Sequence, residues 1–600
     1  MPETPASTYA DRLQLATTLR DQFHRRWSLL GNIRLVAAIG AIVGIWQLWN
    51  DGGTGWLVFA IVAVLAFIVL AVQQRQAGIV RNTHEARIIV NQRAISRLNH
   101  DWNDLATPPD SGTERTHAYA HDLNIIGSAS IAQRVGTPAT SHGWKALYDA
   151  LLTDRELTDL PTRQAAINEL GSKLDVRQDV EAVGLDAESI PDANPLLAWS
   201  RSDDWLRDRT WLRALAQIGP GLVVLSAVLF ALGFVPWIVI LLPVTINAFA
   251  FLATGTQAAM RVQEIAPMRD AISGYGQIMA RIADDDPNAS RLRDLHHRLS
   301  GAATSMRNLA RMANFSIPPG SMLYFPLQMT LMWDVNVLYQ LETWRSSHGR
   351  DVEGWLSAMG EWESLAAFSV LTHDHPDWST PTIDSTSTGI DAQALAHPLL
   401  RDDIAVPNDV HLGPTGSFLF VTGSNMSGKS TLLRAIGANA VLAQAGANVC
   451  AVSLTMPPVR ISSCMRVEDS LAHGVSFFMA ELLRLKSVID LMQHSDDRMG
   501  LYLLDEILQG TNTAERQIAS RHVLQQLTSQ NAIGAVSSHD LELIEGTSLE
   551  EVAISVHFAE QFTRVDGKPD MTFDYQLRPG LATSSNAIRL MEMIGFELPD

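Results

Sequence analysis

Four residues in the C-terminal half of the chain have the types and spacing of a phosphate-binding loop. Gly423, Gly428, Lys429 and Ser430 form the pattern G-x-x-x-x-G-K-S. In such a loop, backbone N–H groups turn toward phosphate oxygens, the lysine reaches the β- and γ-phosphates, and the hydroxyl ligates Mg²⁺. An apolar run at 418–421 predicts a strand before the loop, and residues 431–440 predict a helix after it. This context favours a nucleotide site over a chance match in a glycine-containing turn.

Two further apolar runs deliver side chains that nucleotide hydrolysis requires. A predicted strand over 500–504 ends in Asp505 and Glu506. We expect Asp505 to hold Mg²⁺ and Glu506 to orient or deprotonate the attacking water; an acidic strand end facing solvent is the alternative. Another predicted strand over 532–536 leads to His539. This histidine is expected to sense the γ-phosphate, although a lone histidine is more often structural.

Between these motifs, residues 469–481 predict a loop that runs into an amphipathic helix. Phe478, Leu482, Leu485 and Ile489 share one face of that helix. Ser476 precedes the helix N-terminus, which is a place suited to an anion.

The composition narrows the class of protein. A length of 600 residues predicts several domains, and a net charge of −19 disfavours a generally basic nucleic-acid binder. A local basic groove stays open as an alternative. We expect the two cysteines, Cys450 and Cys464, to be reduced and buried, and without a nearby histidine pair they do not predict a zinc site.

Apolar segments in two pairs predict two membrane hairpins. They cover residues 35–49 with 56–72, and 214–234 with 236–253, and none contains a charged residue. Arginines flank the outer ends of the pairs and the loop at 50–55 has no Lys or Arg, which places both termini and the phosphate loop in the cytosol. The prediction is a multi-pass membrane protein, in the inner or plasma membrane if bacterial, and buried helices of a soluble protein are the alternative. Segments without ionisable residues favour anchoring over transport.

The order of the motifs resembles the ATPase domain of the MutS family of DNA mismatch repair proteins, within the ABC-type ATPase superfamily. The motifs are GSNMSGKST at 423–431, DSLAHGVSFFMAEL at 469–482, LYLLDEILQGTNT at 501–513 and SSHDLEL at 537–543. Upstream, AHP at 396–398 and VPND at 406–409 are similar to the segments that open this domain, and RQAA at 163–166 resembles an Arg-Gln motif of the MutS helical core. The resemblance is strong over 390–600 and fainter over 120–210 and 256–380.

The resemblance implies ATP and Mg²⁺ as cofactors and assigns roles to residues. Glu506, His539 and Lys429 would be catalytic, with His539 as a switch, and Ser430 and Asp505 would ligate Mg²⁺. The nucleotide would be bound by Gly423, Ser424, Asn425, Met426, Ser427, Gly428, Lys429, Ser430 and Thr431. Ser476 would reach the nucleotide of the opposite subunit, which implies a homodimer with two composite sites. Residues 586–596 resemble the terminal helical segment of the family and favour this dimer.

The predicted fold class is multidomain: an α-helical core with two transmembrane hairpins and a C-terminal α/β P-loop ATPase domain. The predicted divisions are a cytosolic segment (1–34), hairpin 1 (35–72), a MutS-core-like helical region (73–213), hairpin 2 (214–253), a lever-like helical region (254–385) and the ATPase domain (390–600). A Ser/Thr-rich linker is expected at 380–389. An apolar segment at 322–341 is expected to be a buried cytosolic helix, because Asp334 lies in its middle.

The chain departs from the family pattern at several points. Ser424 and Ser427 replace the usual Pro and Gly, and residues 508–511 replace Gly-Arg-Gly-Thr. The first 120 residues contain an apolar hairpin where the family has a mismatch-reading domain with a Phe-x-Glu wedge. We therefore expect a membrane-anchored MutS-like protein that lacks the mismatch-recognition domain.

Four functions are compatible with these expectations. Two of them share a membrane-anchored ATPase whose dimer closes as a clamp when it binds ATP. The clamp acts on DNA in one of these two functions and on a membrane or protein partner in the other. A transporter component is disfavoured because no Leu-Ser-Gly-Gly-Gln signature lies between the phosphate loop and Asp505. A scaffold that binds ATP without hydrolysis is disfavoured by Glu506, which a pure binder does not need.

Overall fold

The computed structural model describes residues 4–112, 116–153, 157–186, 192–424, 426–466, 477–494, 497–508, 513–565 and 568–582. The helices are α1 (Pro5–Asp51), α2 (Thr54–Asn99), α3 (Ile131–Arg134), α4 (Ser141–Leu152), α5 (Leu160–Ser172), α6 (Leu174–Asp186), α7 (Asn194–Ser200), α8 (Thr210–Ala231), α9 (Ile238–Ile265), α10 (Arg269–Ala283), α11 (Ser290–Ala313), α12 (Tyr324–Leu331), α13 (Trp333–His348), α14 (Val352–Asp374), α15 (Lys429–Ala445), α16 (Phe477–Met492) and α17 (Thr513–Thr528). The strands are β1 (Thr382–Ile383), β2 (Ile390–Leu395), β3 (Asn408–Leu412), β4 (Phe418–Thr422), β5 (Ser453–Met456), β6 (Val459–Cys464), β7 (Met499–Asp505), β8 (Ala532–Ser537), β9 (Ala553–Val565) and β10 (Lys568–Pro579).

The chain divides into two compact units. The first contains Met1–Gln92, Pro138–Ala146 and Lys173–Glu363, and the second contains Arg93–Thr137, Leu147–Ser172 and Ser364–Asp600. The helical N-terminal part and the C-terminal α/β domain of the prediction are thus confirmed. The finer predicted domain boundaries stay predictions.

The first unit begins with a hairpin of two long helices. α1 ends at Gly52, whose left-handed conformation (φ 65°) caps the helix with an N–H bond to Leu48 O, and α2 starts two residues later. A Cβ on Gly44 would lie 3.1 Å from the Ala60 Cα, so small residues let the two helices approach closely. The predicted spans at 35–49 and 56–72 are the apolar ends of helices that are 47 and 46 residues long.

A second hairpin, α8 and α9, lies in the same unit. Gly233 turns the chain with φ 78° between the two helices. Among the described residues, the helices long and apolar enough to cross a membrane, by length and composition alone, are Pro5–Asp51, Thr54–Asn99, Thr210–Ala231 and Ile238–Ala283. Most apolar side chains in these segments face outward, since at most 22% of each apolar window is buried.

The prediction of one helix over 322–341 is wrong. Two helices, α12 and α13, meet at Met332, which adopts a left-handed conformation with φ 47°. Asp334 is buried, and its carboxylate accepts a 2.8 Å hydrogen bond from the Tyr324 hydroxyl. The Asn336 side chain bonds to the Leu331 carbonyl at 2.9 Å, which compensates for the bond that the break removes.

The second unit is built on a six-stranded sheet with the order β10-β9-β4-β8-β7-β6. β9, β4, β8, β7 and β6 are parallel, and β10 returns antiparallel to β9. Side chains alternate between the faces of the strands. On one face, Phe418, Phe420 and Tyr502 pack against α16 and α17 in one buried cluster. Leu503 points to the other face, where α15 lies; a Cβ on Gly437 would be 2.6 Å from it.

A smaller sheet with the order β1-β5-β2-β3 completes this unit. The segment expected to be a linker at 380–389 contains β1, which pairs in parallel with β5. Within 380–389, Thr382 and Ile383 therefore belong to a folded sheet.

Candidate nucleotide site

The phosphate loop joins β4 to α15, as the sequence predicts. Gly423 and Gly428 both have positive φ, 140° and 106°. A Cβ on Gly423 would lie 2.9 Å from the Ser427 Oγ and 3.0 Å from the Phe558 carbonyl oxygen, so the tight loop leaves no room for a side chain there. Ser427 is buried and has no positive φ, which explains why serine fits where the family usually has glycine. Asn425 lies outside the described residues.

Lys429 starts α15 and reaches back over the loop. Its ammonium donates to the carbonyl oxygens of Gly423 at 2.9 Å and Ser424 at 3.0 Å. The same Nζ lies 3.4 Å from Glu506 Oε1. The side chain is only 4% exposed, so these oxygens supply the polar surroundings that a buried ammonium needs.

The two predicted carboxylates lie at the carboxyl end of β7. Ser537, at the same level on neighbouring β8, donates its hydroxyl to Asp505 Oδ1. The Glu506 backbone N–H bonds to the Ser537 carbonyl at 3.2 Å, and Glu506 has a positive φ of 48°. This turn directs Glu506 toward Lys429. His539 is 55% exposed, with Nδ1 4.0 Å from Glu506 Oε1.

One cavity of about 790 Å³ joins these elements. It opens where β4 and β7 end, the edge at which parallel α/β sheets bind ligands. The predicted site residues that line it are Ser424, Met426, Gly428, Lys429, Ser430, Thr431, Asp505 and Glu506. Gly423 and Ser427 form the loop behind it, and His539 lies beside Glu506 without lining it. Ser476 lies outside the described residues.

Several lining residues were not predicted as site residues. Tyr575 comes from β10, and Phe558 comes from β9. Asn408 fixes Tyr575 by donating to its carbonyl at 3.0 Å and by accepting from the Leu577 N–H at 2.7 Å. The VPND motif contains Asn408 and was a usable signal, whereas nothing local to the β9–β10 hairpin marks Tyr575.

Burial controls the charge of two further lining residues. Desolvation, followed by the nearby guanidinium groups of Arg434 and Arg134, lowers the pKa of His397 to about 4. Burial raises the pKa of the Cys464 thiol to about 12. Both side chains are therefore neutral near pH 7, and the formal charges on the cavity wall belong to Lys429 and to the carboxylates.

A buried carboxylate holds the strand end beside the cavity. Asp122 accepts hydrogen bonds from the Ser463 hydroxyl at 2.8 Å and from the backbone N–H groups of Met465 at 3.1 Å and Arg466 at 3.2 Å. Met465 lines the cavity. Residues far apart in the sequence thus meet at one wall of the site, and sequence reasoning missed Asp122.

The oxygen atoms of Ser430 and Asp505 suit a hard cation. Mg²⁺ usually takes one or two protein oxygens, phosphate oxygens and water rather than a cage of side chains. The described residues contain no cluster of three or more His, Cys, Asp or Glu that could hold a metal by itself. The residues present therefore fit Mg²⁺ that arrives with a nucleotide.

The fold and the site define a P-loop domain of the ATPase type. Residues 419–599 match the family model described as MutS domain V. The relatives include DNA mismatch repair protein MutS 2 of Haloarcula marismortui (31% identity; 42% of this chain, 27% of the relative) and DNA mismatch repair protein MutS of Natronomonas pharaonis (31%; 40% and 27%). DNA mismatch repair protein MSH6 of Arabidopsis thaliana is 34% identical over 36% of this chain and 17% of its own length.

The C-terminal segment of this chain is therefore similar to domain V of MutS proteins. The matched segment spans about a quarter or less of the length of these relatives. The likeness thus covers the MutS-type ATPase domain.

Proposed function

We propose that this chain is a membrane-anchored MutS-type ATPase that binds and hydrolyses ATP with Mg²⁺ in a homodimer with composite sites. The observation that supports this most strongly is the meeting of Lys429 and Glu506, 3.4 Å apart, at the cavity that Ser430 and Asp505 line. A phosphate-binding cation, a carboxylate for water and two oxygen ligands for a cation are the parts that phosphoryl hydrolysis needs.

Each side chain has a separate task in this proposal. Phosphate oxygens replace the Gly423 and Ser424 carbonyls as partners of the Lys429 ammonium, which holds the β- and γ-phosphates in line for attack. Glu506 orients the attacking water and takes its proton, while Asp505 and Ser430 are the ligands for Mg²⁺. Held by these two residues, Mg²⁺ would supply positive charge against the phosphates. His539, close to Glu506, senses the γ-phosphate.

The dimer is proposed from the resemblance and from the loop surface. Met426, on the phosphate loop, is 86% exposed beside the cavity. A partner subunit approaching this side would bring its Ser476 to the nucleotide and close the site. ATP would then favour the closed dimer, and hydrolysis would reopen it.

Membrane anchoring is proposed from the four long apolar helices. Their outward side chains are apolar over the predicted spans, and the spans carry no ionisable residue. Exposing an apolar surface of this kind to water costs free energy, whereas hydrocarbon solvates it well. The ATPase domain lies on the cytosolic side in this proposal, because arginines flank that side.

DNA is one proposed object of the clamp, since the named relatives are DNA mismatch repair proteins. The net charge of −19 favours the second candidate, in which the ATP cycle acts on a membrane or protein partner. Turnover measured with homoduplex, mismatched and branched DNA separates the two. Stimulation by one DNA form, weakened by added salt, supports the DNA clamp, and turnover indifferent to every DNA supports the second candidate.

Two substitutions test the site itself. Lys429→Ala should abolish both binding of a fluorescent ATP analogue and turnover, because it removes the phosphate cation. Glu506→Gln should retain binding and lose turnover, because an amide cannot take the proton from water. Lys486→Ala is the matched control, since its exposed ammonium pairs with Asp490 on α16. Wild-type turnover in either site variant would refute the assignment.

A further inference from the structure

Residues 312–333 form an uncharged segment that the proposed function does not use. They contain no Asp, Glu, Lys, Arg or His, although Arg311 and Asp334 border them directly. The segment leaves α11, passes Pro318, Pro319 and Gly320, forms the eight-residue helix α12, and breaks at Met332. A chain that enters as a short helix and turns back at a break has the form of a re-entrant element.

Two hydrogen-bonded contacts with α9 fix both ends of this segment. The Gln263 side chain donates to the Ser316 hydroxyl at 3.1 Å and to the Ile317 carbonyl at 3.3 Å. The Asn247 side chain donates to the Thr330 carbonyl at 3.2 Å. Gln263 and Asn247 are 16 residues apart on one helix, so the segment descends about 24 Å along α9 at 1.5 Å per residue.

The same contacts give the depth of the segment relative to the proposed bilayer. The span at 236–253 ends ten residues before Gln263 and six residues after Asn247. Ser316 therefore lies about 15 Å outside the hydrocarbon edge, and Thr330 lies about 9 Å inside it. The Phe251 ring, near that edge, contacts the rings of Tyr324 and Phe325, with centroids 6.2 Å apart in both pairs. α12 thus runs at the depth of the cytosolic leaflet.

Apolar side chains cover the outer surface of this descending segment. Tyr324 and Gln328 are buried on its inner side. Met322 is 96% exposed, Leu323 is 65% exposed and Phe325 is 56% exposed on its outer side. Large apolar side chains exposed at this level would face hydrocarbon in a bilayer and water without one.

We propose that α12 inserts into the cytosolic leaflet as a wedge beside α8 and α9, with Met322 and Leu323 at the hydrocarbon edge before it, so that the partner of this surface is the lipid bilayer. The inference rests on the proposed membrane anchoring, because the depth is measured from the predicted span. It replaces the expectation of a cytosolic helix for this segment. Arg261 and Arg311 flank the wedge on the cytosolic side, where they suit anionic headgroups.

Site-directed spin labelling of the full chain in lipid discs tests the wedge. The two cysteines of the chain are buried, so a nitroxide can be directed to Met322→Cys or to Leu323→Cys. The discs contain phosphatidylcholine and phosphatidylglycerol. The measurement compares accessibility to oxygen, which enters hydrocarbon, with accessibility to a water-soluble nickel chelate. Leu222→Cys on α8 is the lipid reference, and Ser347→Cys at the far end of α13 is the water reference.

The wedge predicts that labels at 322 and 323 are closer in behaviour to the label at 222 than to the label at 347, with higher oxygen and lower nickel accessibility than the label at 347. Labels that resemble the one at 347 would overturn the wedge while leaving anchoring intact. Labels shielded from both reagents would also overturn it, because a protein surface or a second copy would then cover the segment. A label at 222 that is open to nickel would instead overturn the proposed anchoring itself.

Discussion

At the scale of single residues, Ser537 connects the two carboxylates of the site. Its hydroxyl donates to Asp505 Oδ1, and its carbonyl accepts the Glu506 N–H at 3.2 Å. Ser537 is fully buried on β8, so its position is fixed by the sheet. The Ser537 hydroxyl also accepts from the Glu506 N–H at 3.3 Å, so a residue with no proposed contact to substrate helps to position both acidic residues.

Ser537→Ala should therefore reduce turnover roughly tenfold, which corresponds to about 1.4 kcal/mol at the transition state. Binding of a non-hydrolysed ATP analogue should change much less, because Lys429 and the loop remain. The measurement is kcat across a Mg²⁺ titration, and more Mg²⁺ should be needed for half-maximal rate. Ser529→Ala is the control, because Ser529 is an exposed serine that directly follows α17 in the same domain. An unchanged kcat and Mg²⁺ requirement would contradict a positioning role.

At the scale of elements, residues 93–137 pack within the same unit as the ATPase sheet. Asp122 binds the end of β6, and Arg434 on α15 donates to the Asp122 carbonyl at 3.1 Å. Leu123 packs at Gly437 on α15. The wall of the candidate nucleotide site is therefore built jointly by an N-terminal segment and the C-terminal domain.

Asp122→Asn should destabilise this unit by about 1–3 kcal/mol, because the buried amide places donors against N–H groups. Turnover should fall with it, since Met465 on the cavity wall loses its acceptor. The measurement is the thermal midpoint together with kcat. Asp110→Asn is the matched control, because its carboxylate lies in an exposed turn and accepts from the Gly112 N–H. A wild-type thermal midpoint in Asp122→Asn would argue against a stabilising role for the Asp122 carboxylate.

A histidine pair gives the second unit a pH-dependent stability. Arg134 donates to His375 Nε2 at 2.6 Å and lies 2.8 Å from His100 Nε2. Burial, followed by Arg134, lowers the pKa of each histidine from 6.5 to about 4, against the opposing charges of Asp374 and Asp402. The unfolded chain therefore binds protons between pH 6.5 and 4 that the folded chain excludes, and stability falls as pH falls through this window.

His375→Gln retains a hydrogen-bond acceptor but does not titrate, so its thermal midpoint should depend less steeply on pH between 6.5 and 4.5. The buried Glu363 in the first unit titrates with the opposite sign, since burial raises its pKa to about 7. Because Glu363 is present in both proteins, its contribution cancels when the pH dependence of the variant's midpoint is subtracted from that of the wild type. Equal slopes in both proteins would show that the histidine is not responsible.

The strands of the site were easier to predict from the sequence than the long-range contacts that complete it. The strands at 418–421, 500–504 and 532–536 were predicted within two residues, because short apolar runs that end in Gly, Asp or Ser have few other structures. The break at Met332 was not predicted, because the residues around this left-handed methionine are held by tertiary contacts such as the 2.9 Å hydrogen bond from Asn336 to the Ala216 carbonyl. Tyr575 and Asp122 reach the site through pairings far apart in sequence, which no local pattern encodes.

At the scale of the whole molecule, the proposed composite sites make one subunit depend on the other. Each site would use Lys429 from one protomer and Ser476 from its partner. Lys429→Ala and Ser476→Ala should each be inactive alone. Equal mixing should restore about a quarter of wild-type turnover, because half of the randomly formed dimers then contain one intact site of two. Failure of the mixture to recover activity, with exchange of subunits verified by labelled protomers, would contradict sites shared across the dimer.

We propose that this chain hydrolyses ATP at the Lys429–Glu506 site while it is embedded in a membrane. The most direct measurement is ATP turnover by the purified full chain in lipid discs, compared with Lys429→Ala in the same discs. We expect Mg²⁺-dependent turnover that the substitution abolishes, in protein that stays with the discs at high salt. Turnover that persists in Lys429→Ala, or protein that is released from the discs as a soluble monodisperse species, would contradict it.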